Sequence, residues 1–217
     1  MNNQGRQEKN KERKKKENME VKLLIPPEYL GMMEKTAALA ALTCHANTEK
    51  PYVAKEVLGR IIKAGHESIL EHITLTYSVK GLSRACLQEL SRHRHISLSV
   101  ESTRHTLKKY LQDGEAIESL YQITPFTYHK EFRRFFDWAQ NNPDMPNDEL
   151  KYYLPEFWPT NLILTSNIRE LRHILKLRTN PAALNEFRAL AYSLFEAVPE
   201  EYRYLLEDCV YRENGHE

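Results

Sequence analysis

Residues 73 to 90 read Ile73-Thr74-Leu75-Thr76-Tyr77-Ser78-Val79-Lys80-Gly81-Leu82-Ser83-Arg84-Ala85-Cys86-Leu87-Gln88-Glu89-Leu90. From Ile73 to Val79 apolar and polar residues alternate strictly, which marks a half-buried strand. Gly81 breaks that pattern. From about Ser83, Leu82, Cys86 and Leu90, with Ala85 and Leu87, form the apolar stripe of a helix. The hydrophobic period therefore changes from strand to helix within a few residues.

Directly downstream lies Arg92-His93-Arg94-His95-Ile96-Ser97-Leu98-Ser99-Val100-Glu101-Ser102-Thr103-Arg104. This density of arginine, histidine and serine carries too many donors for a packed core and too few acids for a solvated helix face. Arg92, Arg94 and Arg104 offer planar forks that grip phosphate or carboxylate oxygens in pairs. His93 and His95 donate near neutral pH, and Ser97, Ser99 and Ser102 add short hydroxyls. An anionic ligand is expected here. The plain alternative is a basic patch at a helix C-terminus, where the dipole favours cations. That accounts for Arg92 and Arg94, but not for the serines or Arg104, which are expected in an extended segment beyond.

Upstream, Gly65-His66-Glu67-Ser68-Ile69-Leu70-Glu71-His72 reads as a polar loop entering the strand. Its His/Glu/His set invites a metal, but no ligand motif such as His-Glu-x-x-His accompanies it. Hydrogen bonding to a ligand or to backbone is expected instead, with no metal site.

Further out, Val21–Ile25 reads as a short strand stopped by Pro26-Pro27. Leu30, Met33, Ala37 and Ala41 then make a helix, and a second runs from Pro51 through Val53, Val57 and Ile61 to a stop at Gly65. Residues 113 to 124 read as a connection. Thr124-Pro125 starts a helix carrying Phe126, Phe132, Phe135, Phe136 and Ala139, a spacing suited to a core or an oligomer interface. Asn147–Leu154 is a short helix bearing Lys151, and Asn161–Thr165 is a strand. Asn167 and Glu170 resemble a capping box for a helix with Leu171, Ile174 and Leu175 on its stripe. Arg178 continues that stripe, so it either snorkels or enters a polar pocket. Arg169 and His173 share another face. Asn180-Pro181 caps a helix through Leu184 to Phe195, and Pro199 starts a last short one. This order predicts an α+β fold, a small central, mostly antiparallel sheet with helices packed around it. No Gly-x-Gly-x-x-Gly and no P-loop is present.

The 217 residues carry a net charge of +1, so any basic character is local rather than that of a polyanion binder. Three scattered cysteines, Cys44, Cys86 and Cys209, argue against a disulfide framework. No apolar run reaches the length of a bilayer span. A cytoplasmic protein is expected, with neither membrane nor nucleic acid as partner. Residues 1 to 18 lack apolar residues after Met1 and are expected to be a disordered basic tail, with Met19 as an alternative start. A basic nucleic-acid-binding protein is the competing reading, but the Arg/His stretch has no aromatic for stacking.

Arg92-His93-Arg94, seven residues, then Ser102 resembles the signature of flavin-dependent thymidylate synthases. The resemblance extends to Gly65–Ser68, Glu71-His72, Glu89–Ser91, Asn167–Arg169 and Leu177-Arg178. It covers about residues 21 to 210 and identifies 19–217 as the catalytic domain. It implies a homotetramer with active sites between subunits, holding FAD and dUMP. The implied reaction moves a methylene from methylenetetrahydrofolate to C5 of dUMP and reduces it to methyl after NADPH has reduced the flavin, giving dTMP and tetrahydrofolate. By position, Ser68, Arg92, His93, Arg94, His95, Val100, Asn167, Arg169 and His173 would contact FAD. Glu89, Leu90, Ser91, Arg92, Val100, Glu101, Ser102, Thr103, Arg104, Lys151 and Arg178 would form the dUMP site. Arg178 would be the catalytic cation that pushes electron density toward C5. Ser102 reads as a binding group, since a nucleophilic serine needs an adjacent base. The chain departs from the family's frequent Asn, Glu and Tyr with Ser99, Val100 and His105. Lys151 stands where arginine is common, and Ala182 where some members have histidine. At Val100 any polar contact must come from backbone, or Glu101 must substitute.

Overall fold

The computed structural model describes residues 19–49, 51–124 and 128–212; the expected tail and the helix start at Pro125-Phe126 lie outside these residues. A four-stranded antiparallel sheet has the order β1-β2-β4-β3, with β1 at Glu20–Leu23, β2 at Thr74–Ser83, β3 at Ile96–Val100 and β4 at Pro159–Asn167. Leu24 N–H donates to Thr76 O at 2.8 Å and Lys80 pairs with Glu20 at 3.3 Å, so β1 retreats as β2 advances. Ile73, Leu75, Tyr77 and Val79 are all fully buried, as the alternation predicts.

The strand does not stop at Gly81. It passes through it with φ at +77°, a conformation that glycine adopts without steric cost. The Gly81 N–H is taken by Asn161 Oδ1 at 3.1 Å, which satisfies the donor where the regular ladder is interrupted. Helix α3, Arg84–Leu90, follows at once, and Ser83 Oγ caps it by accepting Cys86 N–H at 3.0 Å.

The chain divides into two compact units. The first holds Val79–Gln88 and Val100–Leu162, together with Glu20. It contains α4 (Thr103–Gln112), α5 (Gly114–Ile123), α6 (His129–Gln140) and α7 (Asn147–Leu150), with a 3₁₀ turn at Lys151–Tyr153. Two of these correct the sequence reading: the expected extended segment forms as β3 but gives way at Thr103 to α4, which takes in Arg104, and α5 replaces the expected connection. Only Leu107 and Leu111 mark the buried face of α4, too few to reveal a period. Asp113-Gly114, which looks like a turn, is a helix start: Asp113 Oδ1 accepts the N–H groups of Glu115 and Ala116. The core joins Leu107, Leu111, Leu120, Phe132, Phe135 and Trp158, with the Phe132 and Trp158 rings stacked at 5.4 Å. Each such fully buried side chain contributes about 1.5–3 kcal/mol.

The second unit holds Val21–Ser78, Glu89–Ser99 and the chain from Ile163. Helix α1 (Pro27–Thr43) begins with proline at its first position, and α2 (Ala54–Lys63) starts three residues after Pro51, with Val53 exposed as its N-cap. The expected loop after Gly65 is a 3₁₀ helix, Glu67–His72, with Leu70 buried. Helix α8 (Ile168–Arg178) agrees with expectation. Helix α9 (Asn185–Glu196) starts later than expected, because Asn180 Oδ1 closes a turn on Ala182 instead of capping a helix. Pro199 precedes a 3₁₀ helix, Glu200–Leu205, and a further 3₁₀ turn covers Glu207–Cys209.

Arg172 joins these pieces. It is 1% exposed, and its guanidinium bonds Asp208 with both Nη atoms at 2.6 and 2.7 Å, Leu205 O at 2.7 Å and Glu67 Oε1 at 3.1 Å. Lys176 reaches the same Glu67 oxygen at 3.2 Å. Burial works to raise the carboxyl pKa of Glu67, but the Lys176 and Arg172 hydrogen bonds outweigh it and hold it below the ordinary value. Asp208 is likewise held low, by Arg172 against its own burial.

Arg172→Met is expected to cost about 3 kcal/mol, because it leaves Asp208 without its buried partner and Glu67 with Lys176 alone. The denaturant midpoint measures this. Both folded pKa values are depressed, so their stabilisation is complete above the unfolded carboxylate range and is lost as the pH falls through the lower folded values. Stability is therefore expected to hold from neutral pH down to about 5 and to fall below about 4, with a shallower acid loss in Arg172→Met.

Candidate active site

Helix α8 carries the site because its N-terminus is sharply defined. Asn167 Oδ1 accepts Glu170 N–H at 2.8 Å, one half of the expected capping box. The other half does not form. The Glu170 side chain is buried and its Oε1 lies 3.1 Å from Nδ1 of His93, which is itself 6% exposed. The buried carboxylate and the buried imidazole satisfy each other, and either left alone would bear the cost of an unpaired buried polar group.

The chain Arg92–His95 turns sharply between α3 and β3. Arg92, Arg94 and His95 stay exposed, while His93 N–H bonds Leu90 O and the ring goes inward. Its second nitrogen, Nε2, lies 3.3 Å from Nε of Arg178. Arg178 also donates from Nη1 to Glu89 Oε2 at 2.9 Å, and its guanidinium carbon lies 4.5 Å from the centre of the Phe187 ring. The stripe position of Arg178 thus leads into a polar pocket. Burial lowers the His93 pKa, Glu170 opposes this, and the Arg178 charge adds to the lowering, so the imidazole is neutral at neutral pH.

Beside this group lies a cleft of about 490 Å³ lined by Glu67, Glu71, His95, Asn167, Arg169, Glu170 and His173. Four residues expected to contact FAD, His95, Asn167, Arg169 and His173, line it together. Ser68 is exposed on the same 3₁₀ helix as Glu67 and Glu71. The three acids are each engaged: Glu67 by Arg172 and Lys176, Glu71 by Arg169, Glu170 by His93. The cleft therefore combines outward donors with acids that are each hydrogen-bonded, Glu67 and Glu71 by cations and Glu170 by the imidazole, which suits an anionic dinucleotide. His93, Glu170 and His173 also place ligand atoms within 4.8 Å of one another. They do not make a metal site as they stand, since His93 has both ring nitrogens engaged.

Of the other residues expected at the dUMP site, Leu90 has a fully buried side chain and its carbonyl is used by His93; Ser91 is exposed. In the first unit, Val100 ends β3 with 38% exposure. Glu101 does not stand free to replace an acid there: its carboxylate accepts Tyr110 OH, and Asn161 Nδ2 at 2.8 Å. Ser102 is the exposed N-cap of α4, its hydroxyl forming no cap bond, and Thr103 opens the helix. Arg104 lies in the first turn of α4 and pairs with Asp148 through Nε and, at 2.9 Å, Nη2. Asp148 is held below the usual carboxylate range chiefly by that bond, with Lys151 and His105 contributing. Arg104 and Lys151, both expected at the dUMP site, therefore gather around one carboxylate.

Sequence reasoning missed Glu170, Arg172, Phe187 and Asp148 as partners. Arg172 had a signal, lying four residues after Ile168 and three before Leu175 on an apolar line.

Among the described residues no helix is long and apolar enough to cross a membrane. The family model described as thymidylate synthase complementing protein matches residues 28–202. A flavin-dependent thymidylate synthase of Campylobacter jejuni is 37% identical over 189 residues, covering 80% of this chain and 91% of that protein. One from Helicobacter pylori is 40% identical over 161 residues, 67% of this chain and 76% of that protein. The crystal structure of Helicobacter pylori thymidylate synthase X with FAD and dUMP superimposes with a TM-score of 0.74 at 33% identity, over 89% of this chain and all of that one.

Asn167 both caps α8 and lines the cleft. Asn167→Ala is expected to cost about 1 kcal/mol of stability, and Asn167→Asp to retain most of it, as thermal melts would read.

Proposed function

The chain belongs to the flavin-dependent thymidylate synthase family, and on that premise we propose that residues 19–217 form one catalytic domain that converts dUMP to dTMP with FAD as cofactor. Methylenetetrahydrofolate supplies the carbon and NADPH the electrons. Overall, a methylene at the oxidation level of formaldehyde and two electrons become the methyl group, and tetrahydrofolate leaves without being oxidised. The active form is a homotetramer with its active sites between subunits. The reading is carried by one observation: His95, from the turn after α3, and Asn167, Arg169 and His173, from the start of α8 more than seventy residues later, line one cleft together with Glu170, the partner of His93.

FAD is held by these four residues with Ser68, Arg92, His93, Arg94 and Val100, Arg169 exchanging its Glu71 contact for the ligand. When bound, it supplies the reducing equivalents for the methyl group. The chain's own residues do the rest. Arg178 stands against the uracil and favours loss of the N3 proton, which raises electron density at C5, a poor nucleophile in neutral uracil. Its charge persists throughout, because guanidinium stays protonated. Glu89 and Phe187 hold it in place. Glu89 to Arg92 and Val100 to Thr103 frame the nucleotide, and Arg104 and Lys151 take its phosphate. The Arg104 fork, held by Asp148 in the free protein, suits a phosphate edge equally well. At Val100 the contact comes from backbone, since Glu101 is committed to Tyr110 and Asn161.

The purified protein is expected to be yellow and to bleach when NADPH and dUMP are added without oxygen. Deuterium carried on the reduced flavin should appear in the thymidylate methyl group; unlabelled thymidylate, or none, ends the proposal. Arg104→Ala is expected to raise the KM for dUMP about 10- to 100-fold, matching the roughly 1.5–3 kcal/mol of hydrogen bonds to a charged group. Arg178→Ala should instead remove kcat.

A further inference from the structure

We propose that Glu170 is a positioning residue for Arg178, acting through His93 by fixing which imidazole nitrogen carries the proton. The inference rests on the reading of Arg178 as the cation at the uracil ring, and goes beyond it by naming what aims that cation.

The reasoning is one of donors and acceptors. A guanidinium only donates. At 3.3 Å from Arg178 Nε, His93 Nε2 must therefore present a lone pair. A neutral imidazole has one N–H, so the proton sits on Nδ1 and needs an acceptor, which is Glu170 Oε1 at 3.1 Å. Glu170 is 8% exposed, and Asn167 Oδ1 holds its N–H at 2.8 Å, so the carboxylate has little freedom to turn away to water. An ionised carboxylate accepts only, and it thus permits just one tautomer.

The consequence falls on the guanidinium. Phe187 supports its face, Glu89 anchors Nη1 and His93 anchors Nε. Two in-plane anchors define the direction of Nη2, which has no hydrogen-bond partner among the described residues. With the other tautomer, Nε2–H would face Nε–H and the fork would turn about its Glu89 contact. His173, whose ring stands edge-on to His93 at 5.8 Å, adds no competing bond to either ring nitrogen.

The test starts with the free protein, uniformly labelled with nitrogen-15 at histidine, where the ring-nitrogen shifts of His93 report its tautomer, assigned by their loss in His93→Gln. The expected result is Nδ1–H. Glu170→Gln, whose amide can turn either way, should show a mixture, with kcat lowered by about tenfold and the KM for dUMP changed much less. His93→Gln, which keeps an acceptor near the Nε2 position, should retain more kcat than His93→Asn, whose amide corresponds to Nδ1. An Nε2–H tautomer in the wild type overturns the proposal. So does a Glu170→Gln protein that loses kcat while His93 stays wholly Nδ1–H, or one that matches wild type in kcat. If Glu170→Gln fails to fold, the wild-type tautomer and the order of the two His93 variants decide. A protein that makes no thymidylate at all counts against the reading of the function and leaves the tautomer measurement to judge this one.

Discussion

A guanidinium shut away from water must find partners for all its nitrogens, and Arg172 finds them in three separate parts of the chain. Glu67 belongs to the 3₁₀ helix before β2, Leu205 and Asp208 to the C-terminal turns, and Arg172 itself to α8. Buried ion pairs contribute little net stability compared with apolar packing of the same shape, yet losing one partner is costly. Such a group therefore specifies arrangement more than it adds free energy. Here the arrangement it specifies is the approach of Glu67–His72 to α8, which sets two walls of the cleft.

The same constraint governs the electrostatics of the site. Glu67 would bring an unpaired negative charge to the cleft, but its Oε1 takes hydrogen bonds from Arg172 and Lys176. Glu71 is paired by Arg169, while Glu170 is hydrogen-bonded by the His93 imidazole. The pairs differ in how firmly they hold. Arg169 and Glu71 are about half exposed, and such a pair contributes at most ~1 kcal/mol, so a ligand can replace it cheaply. His93 and Glu170 are buried, and a ligand would gain nothing by breaking them apart. Burial thus sorts the cleft into groups that exchange with the ligand and groups that stay fixed beneath it.

Much of this was legible in the sequence. The alternation at Ile73–Val79 and the stripe of α8 are local rules, and the structure follows them. The motif Arg92–Arg104 raised the expectation of an anion, and of its residues His95 lines the cleft with Asn167, Arg169 and His173, which the resemblance had named with it. The misreadings have a common cause. Gly81 looked like a terminator because its tertiary acceptor, Asn161, lies 80 residues away. Helix α4 was hidden since its buried face needs only Leu107 and Leu111, and Pro51 looked like a start although the helix waits for Ala54. Glu170 fitted a local cap so well that its real partner, 77 residues earlier, gave no sign. Wherever a distant group supplied the deciding hydrogen bond, local pattern could not supply it.

Helix α8 carries two arginines on its inner side, and composition cannot tell the one whose nitrogens are all engaged from the one that keeps a nitrogen free. Donor accounting can. Arg172 commits Nε, Nη1 and Nη2 to protein acceptors, so nothing remains for a ligand. Among the described residues Arg178 commits Nε and Nη1 only, and one of its two acceptors is a neutral imidazole rather than an acid. A neutral acceptor orients a guanidinium without cancelling its charge. A second carboxylate in the place of His93 would hold Arg178 more tightly and leave it a weaker attractor of negative charge on a substrate ring. The acid stands one bond further back, at Glu170, where it touches the imidazole and leaves the Arg178 charge uncancelled at that nitrogen.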